Sequence, residues 1–405
     1  MNIHVRISFP QRSGVSLIEV TFAIGVVLIG LVGLTSILPL AGRRAQDSLD
    51  FDTAAAISDA VANEVLARDV INDASLSGTS LQLGTPSNPV VRPFCLDPYL
   101  INNASVASSL RYDLSVFPFY DSAHDPLLDP STSYTNTPGF VGQPRMQRVG
   151  LSAWTTLTAN QQFEVARTWV ESSDDLSQLR PKDRSFPAIL TGLKATSSST
   201  FVSGKRVPTG AYSWMVTVDP DSQSRHASMA VVVFQRRERV SEFPTTVAAT
   251  PDENELAERI ALVESPVGFA GGAGGTVRLL SSGNTLPNLT SGDWLMLSRT
   301  ISPDAATANE VIASQVHRWY RVIGTDREAT IYTPTDNSTV DGITVPTADS
   351  SVDRASDTTV WSRTVILDGS DWDFTPTATG NWRTYATLVE DVVMVNEMTI
   401  SLAGF

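Results

Sequence analysis

The side chains able to do chemistry in this 405-residue chain are scattered, and most of their spacings exclude the reactions they invite. Its four histidines, His4, His124, His226 and His317, show no H-x-x-x-H or H-E-x-x-H pattern, so no pair shares a helix face as a zinc hydrolase requires. Cys95 is the only cysteine, which rules out an internal disulfide and a cysteine-based zinc site. Serines are abundant, yet no G-x-S-x-G elbow presents one. The glycine-rich run at 268–280 lacks the lysine of a phosphate loop and precedes a strand pattern instead of opening a helix, so it reads as a linker. Carboxylates cluster at Asp368, Asp371 and Asp373 and at Asp219 and Asp221 without the spacing of a calcium loop, which leaves turn chemistry. The eight tryptophans read as core residues of alternating strands. No catalytic, cofactor or metal site is expected. The net charge of -14 and pI near 4.7 repel phosphate backbones, so nucleic acid is not expected as a partner.

One acid stands apart. Glu19 lies at the mouth of Val20–Leu40, 21 residues without a charge, long enough at about 1.5 Å per residue to cross a hydrocarbon core of about 30 Å. A carboxylate there costs a few kcal/mol unless it is paired or reaches back to the interface, so it is a candidate for function. Upstream, residues 1–14 carry Arg6 and Arg12, no acid, and end in Gly14. A secretory signal would place its small cleavage residue after the apolar run; here it comes before.

The basic leader, Gly14, then Val15-Ser16-Leu17-Ile18-Glu19-Val20 and an apolar helix together resemble the N-terminus of type IV pilins and type II secretion pseudopilins. The run at 29–34, IGLVGL, is similar to minor pilins described as pilus modification proteins. The resemblance implies cleavage after Gly14 by a prepilin peptidase. Val15 would be the mature, N-methylated terminus, and Glu19 would pair during assembly with the terminal amine of a neighbouring subunit. Val15 departs from the phenylalanine or methionine usual at that position. The implied partners are the prepilin peptidase, other pilin or pseudopilin subunits reached through the N-terminal helix, an inner-membrane assembly platform and the membrane itself. The implied localisation is the inner membrane, single-pass, with the head in the periplasm, in a fibre or at the cell surface. The alternative is a membrane-anchored exported enzyme or binding protein with its site in the 264–405 module.

The elements that must present these residues follow from periodicity. After the leader (1–14) and the apolar helix (15–40), residues 41–70 read as an amphipathic spine with Leu49, Ala54, Ile57, Val61, Val65 and Leu66 on one stripe. One helix over 15–69 would be roughly 80 Å long. A β-rich head is expected over 71–245, with a helix at 160–172. Within it, Tyr212, Trp214, Val216 and Val218 alternate opposite Met229, Val231 and Val233 in a hairpin. A short helix over 252–260 then leads to a second β-rich module at 264–405, a barrel or sandwich, with insertion before the last strand as one arrangement. The fold class expected is α+β: a long N-terminal helix, transmembrane half plus amphipathic half, packed on an antiparallel sheet, with an additional β module.

Overall fold

The computed structural model describes Gly14, residues 16–77, 81–83, 91–98, 115–118, 144–157, 212–221, 226–235, 258–264, 274–282, 285–301, 314–326, 328–331, 360–372 and 384–402, with single residues and pairs between them. The chain divides into two compact units, residues 1–53 and 54–405.

Helix α1 (Leu17–Ala67) supplies nearly all the described residues of the first unit. Among the described residues there, Leu17, Ile18, Phe22 and Ile29 are each 75% exposed or more. Among the described residues no helix is long and apolar enough to cross a membrane, and this corrects the single-pass inner-membrane localisation with a periplasmic head. A span needs about 20 consecutive apolar positions. The side chains at 34 and 36–40 lie outside the described residues, and charge begins again at Arg43 and Arg44.

In the second unit the last turns of α1 bury Ala54, Ile57, Val61, Ala62 and Val65 at steps of three and four. Leu49 and Leu66, which the sequence pattern puts on the same stripe, are 66% and 47% exposed. The helix stops in a Schellman motif. Val70 N–H donates to the Val65 carbonyl at 3.1 Å and Asp69 N–H to that of Leu66 at 3.2 Å, with Asp69 in the left-handed position at φ 49°.

The first sheet has the order β1-β4-β2-β7-β8-β18, with β3 on the side of β4. These are β1 (Leu76–Ser77), β2 (Phe94–Leu96), β3 (Val116–Phe117), β4 (Met146–Leu151), β7 (Tyr212–Pro220), β8 (His226–Gln235) and β18 (Val392–Ser401). β2 and β4 run parallel, so the sheet is mixed. β7 and β8 pair in the register Trp214↔Val233, Val216↔Val231, Val218↔Met229. Those side chains cluster with Ala54, Ile57, Val61 and Val65 of α1. Successive residues point to opposite faces, and Met215, Ala230, Val232 and Phe234 are also fully or almost fully buried. Together with Val395 of β18 they meet a second layer through Met296 and Trp319. Burial on both faces fits the unbroken apolar run Met229–Phe234 of β8.

That second layer is a closed six-stranded antiparallel barrel, in ring order β10-β9-β17-β11-β12-β16. Its strands are β9 (Glu258–Glu264), β10 (Gly275–Ser282), β11 (Trp294–Thr300), β12 (Gln315–Thr325), β16 (Val360–Asp368) and β17 (Thr384–Val389). Closure runs from Gly275↔Leu367 to Ser282↔Val360. The short β13 (Thr330–Ile331) extends β16, α2 (Thr285–Asn288) is a single turn, and β5 (Gln178–Leu179) pairs with β6 (Arg206–Val207) as β14 (Thr339–Val340) does with β15 (Ile343–Thr344). The interior is filled by Val277, Leu279, Leu295, Leu297, Tyr320, Val322, Val365 and Leu367 among others. Gly274, at φ 72°, lies so close to β16 that a Cβ would collide with the Leu367 carbonyl. In chain order the barrel strands fall between β8 and β18, the last two strands of the mixed sheet.

The α+β expectation is therefore corrected. Strand accounts for 48% of the described residues, and the architecture is mostly β: a mixed sheet and a closed barrel. The sheet is not purely antiparallel, and within the second unit α1 packs on it from Ala54 onward. The helix expected at 252–260 is corrected in part too: Glu258–Ile260 are the first residues of β9, paired with Val389, Leu388 and Thr387.

Candidate functional site

At the N-terminus, Ser16 and Glu19 are joined locally. Glu19 N–H lies 3.3 Å from Ser16 Oγ and 3.0 Å from the Ser16 carbonyl, which makes Ser16 the N-cap of α1 and Glu19 its third helical residue. S-x-x-E is the spacing of a capping box, in which the serine satisfies an orphan N–H of the first turn and the acid favours the positive end of the helix dipole. Gly14 is exposed, with no atom within 4 Å of where a Cβ would stand. The Glu19 side chain is exposed as well, and among the described residues none is hydrogen-bonded to its carboxylate. Val15 and the leader lie outside the described residues. Ser16 was not singled out by sequence reasoning, although the S-x-x-E signal is present.

A second constellation lies where the mixed sheet meets the barrel. Asp97, just past β2, Arg148 of β4, Arg237, two residues past β8, and Glu258, the first residue of β9, are all at most 9% exposed. Arg148 Nη2 donates to Glu258 Oε2 at 2.7 Å and Oε1 at 3.0 Å, and Arg148 Nη1 to Asp97 Oδ2. Arg237 forks onto Asp97 at 3.0 and 2.6 Å, reaches Glu258 Oε1 at 3.4 Å and stacks 4.4 Å above the Phe234 ring. Burial would lower the pKa of Arg148, but Glu258 and Asp97 outweigh it and hold it above its ordinary value; at Arg237, Asp97 does the same against burial. Two guanidiniums facing two carboxylates make a neutral buried quartet. Cys95 lies beside it at 0% exposure, its thiol pKa pushed up by burial, which removes the thiolate a nucleophile needs.

A third polar group sits on the same interface. Ser298 and His317 are cross-strand partners on β11 and β12, with Oγ and Nδ1 2.8 Å apart. His317 N–H donates to Asp219 Oδ2 at 2.9 Å, and Arg318 Nη1 to the same oxygen at 2.8 Å. Beside them Trp319 Nε1 donates to Thr217 Oγ1 at 3.0 Å and its backbone N–H to Glu397 Oε1 at 3.1 Å. His317 Nε2 and Asp219 Oδ1 have no partner among the described residues. Burial pushes His317 down to about 3 and Asp219 up to about 7, the latter despite Arg318. A serine and a histidine within hydrogen-bond reach are the start of a nucleophile–base pair. Here they are 1% and 3% exposed, and the carboxylate contacts the histidine backbone rather than its ring, so the arrangement joins layers and does not present a nucleophile.

The remaining sequence candidates fall elsewhere. His226 is exposed at the start of β8, and His4 and His124 lie outside the described residues. Of the 268–280 run, Phe269 and Gly274 onward are described, and Thr276–Leu280 form part of β10. In the 368–374 stretch the Ser370 carbonyl accepts from Tyr320 Oη at 2.9 Å, and Gly369 lets that ring approach. Trp154, Trp169 and Trp214 form an edge-to-face chain at 5.5 and 4.8 Å against α1, where Trp169 Nε1 donates to Glu64. Among the described residues no group of three or more His, Cys, Asp or Glu side chains is placed to hold a metal. Comparison with protein families, curated proteins and solved structures finds no match.

Proposed function

We propose that this chain is a pilin-type subunit, a minor type IV pilin or type II secretion pseudopilin, cleaved after Gly14 by a prepilin peptidase and built into, or priming, a fibre through its N-terminal helix. It acts by assembly. The reading is supported by the order of features: Arg6 and Arg12 in a leader free of acids, Gly14, Val15, then Glu19 in the first turn of an apolar helix. The observation that carries it is Glu19 itself. Its carboxylate is one turn from the terminus that cleavage would create, and no described residue of its own chain pairs with it. An ammonium at Val15 of a neighbouring subunit is the counter-ion the reading supplies, and the exposed Leu17, Ile18 and Phe22 are the apolar surface that such a bundle would bury.

Mass spectrometry of the full chain co-expressed with a prepilin peptidase tests the cleavage. The mature product should begin at Val15, and Gly14→Val should accumulate as precursor. Glu19→Gln should be cleaved normally yet be absent from sheared fibres. Wild-type protein that retains Met1, or a Glu19→Gln chain incorporated as well as wild type, would overturn the reading.

A further inference from the structure

The strand ends from which the chain passes between the mixed sheet and the barrel are neighbours on both sides, with Glu258 opposite Val389 in the barrel. β8 ends at Gln235 and β9 begins at Glu258; β17 ends at Val389 and β18 begins at Val392. Gln235 N–H donates to the Asp391 carbonyl at 2.9 Å, so both crossings leave the sheet at one place.

The surface on which it rests does little to choose a pose. Met215, Val232 and Phe234 of the sheet face Met296 and Trp319 of the barrel. Apolar contact is non-directional and methionine adapts its shape, so such a surface favours docking without selecting one orientation. Direction comes from the polar groups that cross it: Trp319, which donates to Thr217 and Glu397, and the groups at its two ends. Asp219, with His317 and Arg318, is four residues along β7 from Met215, about 13 Å at strand rise. The quartet is at the Met215 end, where Arg237 Nη2 approaches the Met215 sulfur at 4.0 Å.

We infer that the Asp97–Arg148–Arg237–Glu258 quartet is an orientation lock at this neck, holding the inserted barrel and the mixed sheet in a single pose. Three of its members belong to the sheet or to the end of β8, and Glu258 alone belongs to the barrel. Its carboxylate takes hydrogen bonds from both arginines. Sliding or tilting the barrel would carry Glu258 away and leave two guanidiniums facing one carboxylate in a dry site, a loss far steeper than that of the same displacement across an apolar patch. Stability alone does not account for four buried ions, because shape-matched neutral groups in such positions are often as stable or more so. What they provide is a unique pose. The inference stands independently of the assembly role proposed above.

The test is a pair of spin labels on the full chain, at Ala60→Cys on α1 and Ile323→Cys on the barrel, both exposed positions. Buried Cys95 stays unlabelled. Wild type should give one narrow distance. Glu258→Gln should broaden the distribution and lower the melting temperature. The neutral set D97N/R148M/R237M/E258Q should broaden it while melting at or above the Glu258→Gln temperature, separating loss of pose from loss of stability. A narrow, unchanged distance in every variant that folds would overturn the lock. If neither variant folds, Arg237→Lys, which keeps the charge but loses the fork on Asp97, is read by the same criterion.

Discussion

The backbone N–H of His317 donates to Asp219 Oδ2 at 2.9 Å, placing two titratable groups with opposite displacements side by side between the sheet and the barrel. Asp219 is pushed from 3.8 up to about 7, and His317 from 6.5 down to about 3, in each case by burial before any charged neighbour. The raised acid contributes stability that is complete below pH 3.8 and lost as pH rises to 7. The depressed histidine contributes stability that is present above pH 6.5 and lost as pH falls to 3. Between about pH 4 and 6.5 the folded chain therefore holds its proton on Asp219 and the unfolded chain holds one on His317. The counts are equal, and the pair adds no slope. Single substitutions should unmask the halves. Relative to wild type, His317→Gln should gain about 1.4 kcal/mol per pH unit on acidification across that window, and Asp219→Asn should lose as much. Urea unfolding at several pH values checks this; curves for both variants that run parallel to wild type would sink it.

The boundary between the exposed and packed parts of α1 predicts a sharp contrast. Ile57 is 8% exposed against the sheet and Leu49 is 66% exposed in the first unit. Ile57→Ala should destabilise the second unit by about 2–4 kcal/mol, the cost of a core truncation. Leu49→Ala should change it by less than about 0.5 kcal/mol. Equal effects in thermal melts would mean that the stripe is buried further toward the N-terminus.

Some of this architecture is legible in the residues and some is not, for identifiable reasons. The alternation of Trp214, Val216 and Val218 opposite Met229, Val231 and Val233 specifies both the hairpin and its register, because a slip of one residue would turn each side chain to the other face. Period-two patterning says which face a strand buries, not which strand it pairs with. The neighbours β9 and β17 are more than a hundred residues apart in the chain, so the barrel's closure is invisible at that level. The start of β9 was hidden by Glu258 and Arg259, two charged residues that read as a helix surface yet are 2% and 0% exposed. The quartet shows the same limit. Its members at 97, 148, 237 and 258 share no spacing, and Arg237, in a run of mixed charge, is nevertheless buried. Ser16 differs, since its S-x-x-E signal is local and was there to be read.

Gly274 is a position where the backbone requires glycine twice over, by φ 72° and by contact with the Leu367 carbonyl across the barrel seam. Gly292 has φ 110° with open space around it. Gly274→Ala should therefore cost the backbone penalty of about 1 kcal/mol and, in addition, the displacement of β10 from β16. Gly292→Ala should cost the backbone penalty alone. Amide exchange at Val277 and Val365, on the two sides of the seam, should accelerate in the first variant only; similar exchange in both would mean that the seam tolerates the added carbon.

The cap at the start of α1 makes a prediction that separates local structure from assembly. Ser16 Oγ satisfies the Glu19 N–H, and its loss should weaken the first helical turn by about 1 kcal/mol. Ser16→Ala should hasten amide exchange at Glu19 and Val20, while Ser16→Asp, which can cap and adds a charge favourable to the helix dipole, should restore protection. If Glu19 acts through a neighbour's terminal ammonium, a frayed first turn no longer holds the carboxylate at a fixed place. Ser16→Ala should then lower fibre incorporation without blocking cleavage after Gly14, and Ser16→Asp should recover part of it. Incorporation that follows neither substitution, with exchange altered as expected, would show that order in the first turn is not what presents Glu19.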